Sequence, residues 1–542
     1  MKRNRLTILA LLGGILLALP WLENFSGIIL LIAFIPLLFV EDFLYINRKH
    51  NRPYLVLIYS FVAFLLWNVV STFWIGKISL PGASIVIIFN AFLLSMVFFL
   101  FHLTKRNLGR KFGNFSLLVY WTGWEYFFMN AEITWPWLNL GNGFAKDVAL
   151  IQWYEFTGVL GGTLWVLGVN LVLFNILKFY IVHKSFRFQL GQILFFLILV
   201  FLPIVVSIIA FNRYETKGEP LRAAVLQPDI DPYEEKFSGL THHQQINILM
   251  NLADSIARPE TDYVIGPETA VDSIDLNKLE QEEMVNRINS FVQNYPDVHF
   301  IIGVDATKRY GSDEDIPATA QLVKETGQYY DIFNSAIQID SSGHIPIYHK
   351  SKLVSGVETM PYPGFLKFLD DFILNIGGTS GSRGVQKERE VFSSYDSTFQ
   401  VAPVICYESV FGEYVTKYIH KGANVIFIIT NDGWLLNPGY KQHMHFSRLR
   451  AIETRRSIAR SANTGISCFI NQKGQILKST EWWKKDAIED TIYANNEKTF
   501  YVKHGDLIGR VSGFMAVFGL LYLAAKMLMK STKNRDLLKL RE

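Results

Sequence analysis

Three short stretches carry residues whose types and placement suit covalent chemistry. Val264-Ile265-Gly266-Pro267-Glu268-Thr269 sets an acid just beyond a hydrophobic run. Tyr348-His349-Lys350-Ser351-Lys352-Leu353 sets two amines on alternate positions, with Glu358 following. Val404-Ile405-Cys406-Tyr407-Glu408-Ser409 sets a thiol at the end of an apolar run, with an acid close behind. A thiol is mostly protonated at neutral pH, and it becomes a nucleophile when a base takes its proton or a cation favours the thiolate. A carboxylate can be that base. An ammonium can stabilise both the thiolate and the oxyanion of a tetrahedral intermediate, helped by a backbone N–H.

Each residue also has a plainer reading. Glu268 could be a carboxylate favoured at a helix N-terminus, and Glu358 a surface acid or an orienting partner for a lysine. Lys350 and Lys352 point the same way on a strand, so periodicity cannot choose between them. Cys468 lies in an apolar strand pattern with no acid or base adjacent and reads as core. His443 and His445 invite a metal, but on a helix they face apart and no further ligand motif is near. No metal and no cofactor are expected.

The elements that must position these residues lie between about 220 and 500, where short β-rich runs alternate with amphipathic helices. Strands are predicted at Ala223–Gln227, Tyr263–Gly266, His299–Val304, Ser335–Ile339, Gln400–Ile405, Asn424–Thr430 and Ile466–Asn471. Helical periodicity covers 241–257, 278–294 and 441–456. Strands interleaved with helices argue for an α/β layered domain. The polar run Gly311–Gln328 reads as a surface loop. The apolar segment Phe365–Ile376 reads either as a core helix or as a lid that dips into lipid.

Around this domain the chain is far more apolar. Hydrophobic residues make up 50% of 542 and charged residues 18%. A helix crossing ~30 Å of hydrocarbon needs about 20 mostly apolar residues. Segments near 6–22, 24–41, 53–74, 82–103, 116–133, 157–181 and 188–211 qualify, and a last one lies near 507–529. The fifth carries Glu125, which is costly in lipid unless a structural hydrogen bond holds it. A cleavable signal peptide is the alternative for the N-terminus, but the apolar runs that follow favour a retained helix. Lys and Arg cluster in every second loop, which puts the N-terminus in the cytoplasm and residues after Asn212 outside. The domain plan is therefore 1–212 in the membrane, 213–503 as the catalytic domain, 504–530 as a last crossing and 531–542 as a basic cytoplasmic tail. The formal net charge is only +4 and no basic, aromatic-interleaved stretch suggests nucleic-acid binding. Two cysteines cannot build a disulfide framework.

The three stretches resemble the Glu–Lys–Cys set of the nitrilase, or carbon–nitrogen hydrolase, superfamily. With the apolar helices, the chain resembles that superfamily's apolipoprotein N-acyltransferase family of bacterial envelopes. The likeness extends to Thr134-Trp135-Pro136-Trp137, Gly141, Asn431-Asp432-Gly433-Trp434, Gln442-His443, Arg450-Ala451-Ile452-Glu453, Arg460–Ser467 and His504-Gly505-Asp506. It implies a multi-pass helical membrane bundle of about eight helices carrying an αββα nitrilase-like sandwich. It implies Glu268 as general base, Lys350 as oxyanion stabiliser and Cys406 as acylated nucleophile. Glu358, Tyr407 and Glu408 fall on supporting positions, and Phe237 and Trp434 on candidate substrate contacts. The family's Pro-Phe-Gly ahead of the glutamate is replaced by Ser355, Gly356 and Val357, and its aromatic residue near the domain's start by Phe237.

The implied reaction moves an acyl chain from a glycerophospholipid, such as phosphatidylethanolamine, to Cys406. It then passes to the α-amino group of a diacylglyceryl-cysteine on an apolipoprotein. The implied location is the bacterial inner membrane, with the catalytic domain in the periplasm. Two other readings stay open: a membrane-tethered amidase for a small substrate, and a non-catalytic sensor or transport scaffold.

Overall fold

The computed structural model describes residues 3–186, 189–236, 239–360 and 382–539. Phe237 and the segment Phe365–Ile376 lie outside the described residues. The chain divides into two compact units. One comprises Met1–Phe73, Ala83–Ala210 and Asp506–Glu542; the other comprises Trp74–Gly82 and Phe211–Gly505.

The first unit is helical. Among the described residues, seven helical segments are long and apolar enough to cross a membrane. They are Arg3–Trp21, Gly27–Ile46, Tyr54–Lys77, Leu80–Leu108, Tyr154–His183, Leu190–Arg213 and Leu507–Lys530. The expected crossing near 116–133 falls in the helix Arg110–Asn130, whose polar and aromatic residues make it less apolar than the others. That helix packs along Leu507–Lys539, which continues as helix into the basic tail. Glu125 has a structural explanation. Trp121 Nε1 donates to Oε1 at 3.0 Å, the Leu140 N–H to Oε1 at 2.9 Å, and Thr163 Oγ1 to Oε2 at 2.6 Å. A carboxyl deep in a helical bundle persists when its lone pairs are used in this way.

The second unit has two sheets. The first has the order β14-β1-β2-β4-β6-β5, formed by Asp486–Ala494 (β14), Glu219–Gln227 (β1), Tyr263–Ile265 (β2), His299–Arg309 (β4), Tyr329–Ile339 (β6) and Gln321–Leu322 (β5). Val271–Asp275 (β3) pairs with β4, and Ile347–His349 (β7) with β6. The second has the order β13-β12-β11-β10-β9-β8: Ile476–Ser479 (β13), Cys468–Ile470 (β12), Ile458–Ala462 (β11), Val425–Thr430 (β10), Gln400–Ile405 (β9) and Phe392–Ser393 (β8). β9, β10 and β11 are parallel, and so are β1, β2 and β4. Parallel strands are covered on both faces and read as unbroken apolar runs, as Val425-Ile426-Phe427-Ile428-Ile429 does. The helices His242–Ile256 and Glu283–Asn294 cover the first sheet's outer face, where Ile246, Leu249, Val285, Ile288 and Phe291 form a core with β1, β2 and β4. Between the sheets, the Tyr263 ring meets Phe427 edge-on at 5.1 Å. The αββα layering is thus present.

Most of the anticipated strands and all three helices appear within a few residues of their expected limits. The Gly311–Gln328 loop contains the two-residue strand β5. Parallel strands direct their carboxyl ends to one rim, where ligands of α/β sheets gather. Glu268 follows β2, Cys406 follows β9, and Asn431 follows β10.

One close approach fixes the acid. A Cβ on Gly303 of β4 would lie 2.6 Å from Glu268 Cα and 2.7 Å from Pro267 O. Backbone has no rotamer by which to yield. Gly303→Ala is expected to cost about 1–3 kcal/mol by overpacking and to lower the thermal unfolding midpoint in detergent; an unchanged midpoint would show that the contact is slack.

Candidate active site

Lys350 organises the site. It leaves β7 on the residue after His349, its N–H bonded to Asn334 O at 2.8 Å, and it is 1% exposed. Its Nζ donates to Glu268 Oε1 at 3.0 Å and to Glu358 Oε1 at 2.9 Å. Asn334 Nδ2, on β6, donates to the same two oxygens at 2.8 and 3.1 Å. The remaining oxygens take backbone donors: Asn431 N–H to Glu268 Oε2 at 3.0 Å, and Val354 N–H to Glu358 Oε2 at 2.9 Å. Burial alone would lower the Lys350 pKa, but Glu268 and Glu358 outweigh it and hold the ammonium well above its usual range. Burial likewise opposes ionisation of Glu358, and Lys350 with the Val354 N–H brings its pKa below the ordinary value.

The altered turn before Glu358 still closes. Gly356 takes φ 81°, a left-handed conformation suited to glycine, and its N–H bonds to Thr359 O at 2.8 Å. The Glu358 N–H bonds to Val354 O at 2.9 Å, which turns the carboxylate toward Lys350. Lys352, the competing amine, lies 4.8 Å over the Phe411 ring. Burial, with Lys417 and Arg389 nearby, lowers its pKa to about 8.

Cys406 sits where β9 passes into the short helical turn Cys406–Val410, with φ 48°. A non-glycine residue in this region carries strain of about 1–3 kcal/mol and persists when its surroundings over-determine it. Burial pushes the Cys406 thiol well up, the Glu268 carboxylate adds to that, and Lys350 opposes it. Glu268 and Lys350 thus act on the sulfur with opposite sign. Tyr407 is buried, its ring edge-on to Phe411 at 5.1 Å.

Glu408 has a different job from the other acids. It is fully buried and takes hydrogen bonds from Tyr348 Oη (2.7 Å), Tyr414 Oη (2.6 Å), Tyr418 Oη (3.1 Å), Ser351 N–H (2.8 Å) and Ile405 N–H (3.0 Å). Ile405 precedes the thiol and Ser351 follows the amine, so one carboxyl ties the two segments together. Trp434 lies on the short turn Asp432–Trp434, its ring edge-on to Tyr233 at 4.8 Å. Asn334, a polar residue inside a strand with no local signal, escaped the sequence reading, and Asp432 and Arg460, quoted there only for the family likeness, form a buried ion pair. Cys468 is core, its thiol raised to about 11 by burial.

The carbon–nitrogen hydrolase family model matches residues 222–497. The apolipoprotein N-acyltransferase N-terminal domain matches residues 13–172. An apolipoprotein N-acyltransferase of Chlorobaculum tepidum is 27% identical over 478 residues, covering 86% of this chain and 87% of that protein. One of Geobacter metallireducens is 23% identical, covering 92% of each. Among solved structures, an amidase from Nesterenkonia sp. aligns with 53% of this chain and 94% of its own, at 15% identity and a TM-score of 0.36. With apolar helices in one unit and this site in the other, the chain is a membrane-embedded enzyme. It belongs to the carbon–nitrogen hydrolase family, in the form that carries the apolipoprotein N-acyltransferase N-terminal domain.

Proposed function

We propose that the chain transfers a fatty acyl group from a glycerophospholipid, with phosphatidylethanolamine as donor, to the N-terminal diacylglyceryl-cysteine of apolipoproteins through a Cys406 thioester. The observation that carries this reading is the buried Lys350 ammonium, shared between two carboxylates beside a thiol on a strained turn. Glu268 takes the Sγ proton as sulfur attacks the ester carbonyl. The carbonyl's electron pair moves onto oxygen, which Lys350 and a backbone N–H of the Cys406 turn stabilise. Collapse breaks the ester C–O bond, Glu268 returns its proton to the leaving alkoxide, and a lysophospholipid departs. The neutral α-amine then attacks the thioester and loses its proton to Glu268. Collapse expels sulfur, which regains that proton, and leaves an amide.

Glu358 keeps Lys350 charged and aimed, Glu408 holds the two reactive segments in register, and Tyr407 backs the nucleophile. Phe237 and Trp434 are the proposed substrate contacts. The loop charges favour both termini in the cytoplasm of a bacterial inner membrane and the domain 213–503 in the periplasm.

Intact-mass measurement after incubation with phosphatidylethanolamine is expected to find an acyl group on the peptide holding Cys406. Cys406→Ser should bring it to background, because a hydroxyl ionises far less readily than a thiol. Full activity in that variant removes Cys406 from the mechanism. Glu268→Gln is expected to slow thioester formation by about 10²–10⁴-fold, the worth of a general base. It should also move the pH midpoint of Cys406 alkylation downward, since a negative charge beside the thiol is gone. A slower acylation with an upward shift would contradict the assigned role. A phosphatase inserted in the Gly311–Gln328 loop should be active in the periplasm; cytoplasmic activity overturns the orientation.

A further inference from the structure

Against the turn that carries Cys406 lies a buried polar set that the proposed reaction leaves unused. His443, on the helix Gly439–Thr454, is 2% exposed. Its Nδ1 meets Asp432 Oδ1 at 2.8 Å, and Arg460 Nη2 donates to the other oxygen of that carboxylate at 2.5 Å. Arg460 and His443 together hold Asp432 ionised, well below the ordinary carboxylate range despite its burial. Thr430 Oγ1 adds a third donor at 2.9 Å. On its other side, His443 Nε2 lies 3.3 Å from Cys406 O and 3.1 Å from Ser409 Oγ. Ser409 Oγ itself donates to Cys406 O at 2.7 Å.

An ionised carboxylate only accepts, so the ring nitrogen facing Asp432 is placed to donate to it. Nε2 sits between the Cys406 carbonyl and the Ser409 hydroxyl, placed to donate to the first or to accept from the second. Either way the ring and Ser409 Oγ together hold the carbonyl of Cys406, the residue whose left-handed backbone sets where Sγ points.

We propose that His443 is a positioning residue for the nucleophile. It fixes the Cys406 carbonyl, and hence the direction of the thiol, from a ring that Asp432 and Arg460 hold in place. This rests on Cys406 being the nucleophile. It adds that the attack geometry is set through the backbone.

Two amide substitutions separate positioning from simple core filling. Asn reproduces the Nδ1 position and keeps the bond to Asp432, while Gln reproduces the Nε2 position and keeps the donor toward Cys406. Acyl-Cys406 formation is followed by intact mass on the purified full chain in detergent, across phosphatidylethanolamine concentrations. His443→Asn is expected to lower the maximal rate by about 10- to 100-fold, the effect of a small misplacement of a reacting atom, with half-saturation unchanged. His443→Gln should recover most of the rate. Asn equal to or faster than Gln, a full rate in Asn, or a change in half-saturation alone each overturns the proposal. Should neither variant fold, Ser409→Ala removes the hydroxyl that joins the ring to the same carbonyl. It should slow acylation severalfold at unchanged half-saturation, and an unchanged rate overturns the proposal. Absence of an adduct in the unsubstituted protein sinks the nucleophile assignment itself, and the positioning role with it.

Discussion

The site depends on one ammonium kept from water and shared by two carboxylates. Burying such charges costs several kcal/mol per ion, and the cost is met only when geometry is good and the leftover lone pairs are satisfied. Here Asn334, Asn431 and Val354 supply the remaining donors to Glu268 and Glu358. One positive and two negative charges leave the cluster net negative. Burial first, and the Glu268 charge after it, disfavour ionisation of the neighbouring thiol, and Lys350 opposes them. In the proposed reaction, moving the proton from sulfur to Glu268 changes no net charge, and the negative charge stays within the electrostatic reach of Lys350.

The rest of the domain serves that arrangement through carboxylates with separate duties. Glu268 is the proposed base, Glu358 accepts from the lysine, and Glu408 fastens backbone to backbone through the Ser351 and Ile405 N–H groups. Asp432 works one layer further back. Four acids of similar type therefore differ by what donates to them rather than by their own chemistry.

Much of this could be read from the chain alone. The three reactive stretches stand at the ends of apolar runs, where a strand signal stops and a functional residue begins. The parallel strands β9 and β10 were legible because both faces are covered. By contrast β11 reads Ile458-Ala459-Arg460-Ser461-Ala462, and its central polar pair hides the strand. Arg460 is used by Asp432, and Ser461 Oγ by Leu226 O at 2.7 Å. β14 is diluted by Asp486, Glu489 and Asp490 along a sheet edge. Asn334 and His443 acquire meaning only from partners distant in sequence, which periodicity does not report. Periodicity could not choose between Lys350 and Lys352, which the family resemblance did; the structure puts both beyond β7, with Glu268 and Glu358 on Lys350 and the Phe411 ring under Lys352.

The segment Trp74–Gly82 belongs with the catalytic unit although it joins the end of one apolar helical segment, Tyr54–Lys77, to the start of the next, Leu80–Leu108. Trp74 Nε1 donates to Gln442 Oε1 at 3.2 Å, and its ring fills the hollow left by Gly439, at the start of the helix that carries His443. Ribosomal synthesis makes that indole long before the strands it will join. The catalytic unit therefore cannot be cut free as a contiguous fragment starting near Phe211: such a truncation would leave a gap beside Gly439 that the missing tryptophan was meant to plug.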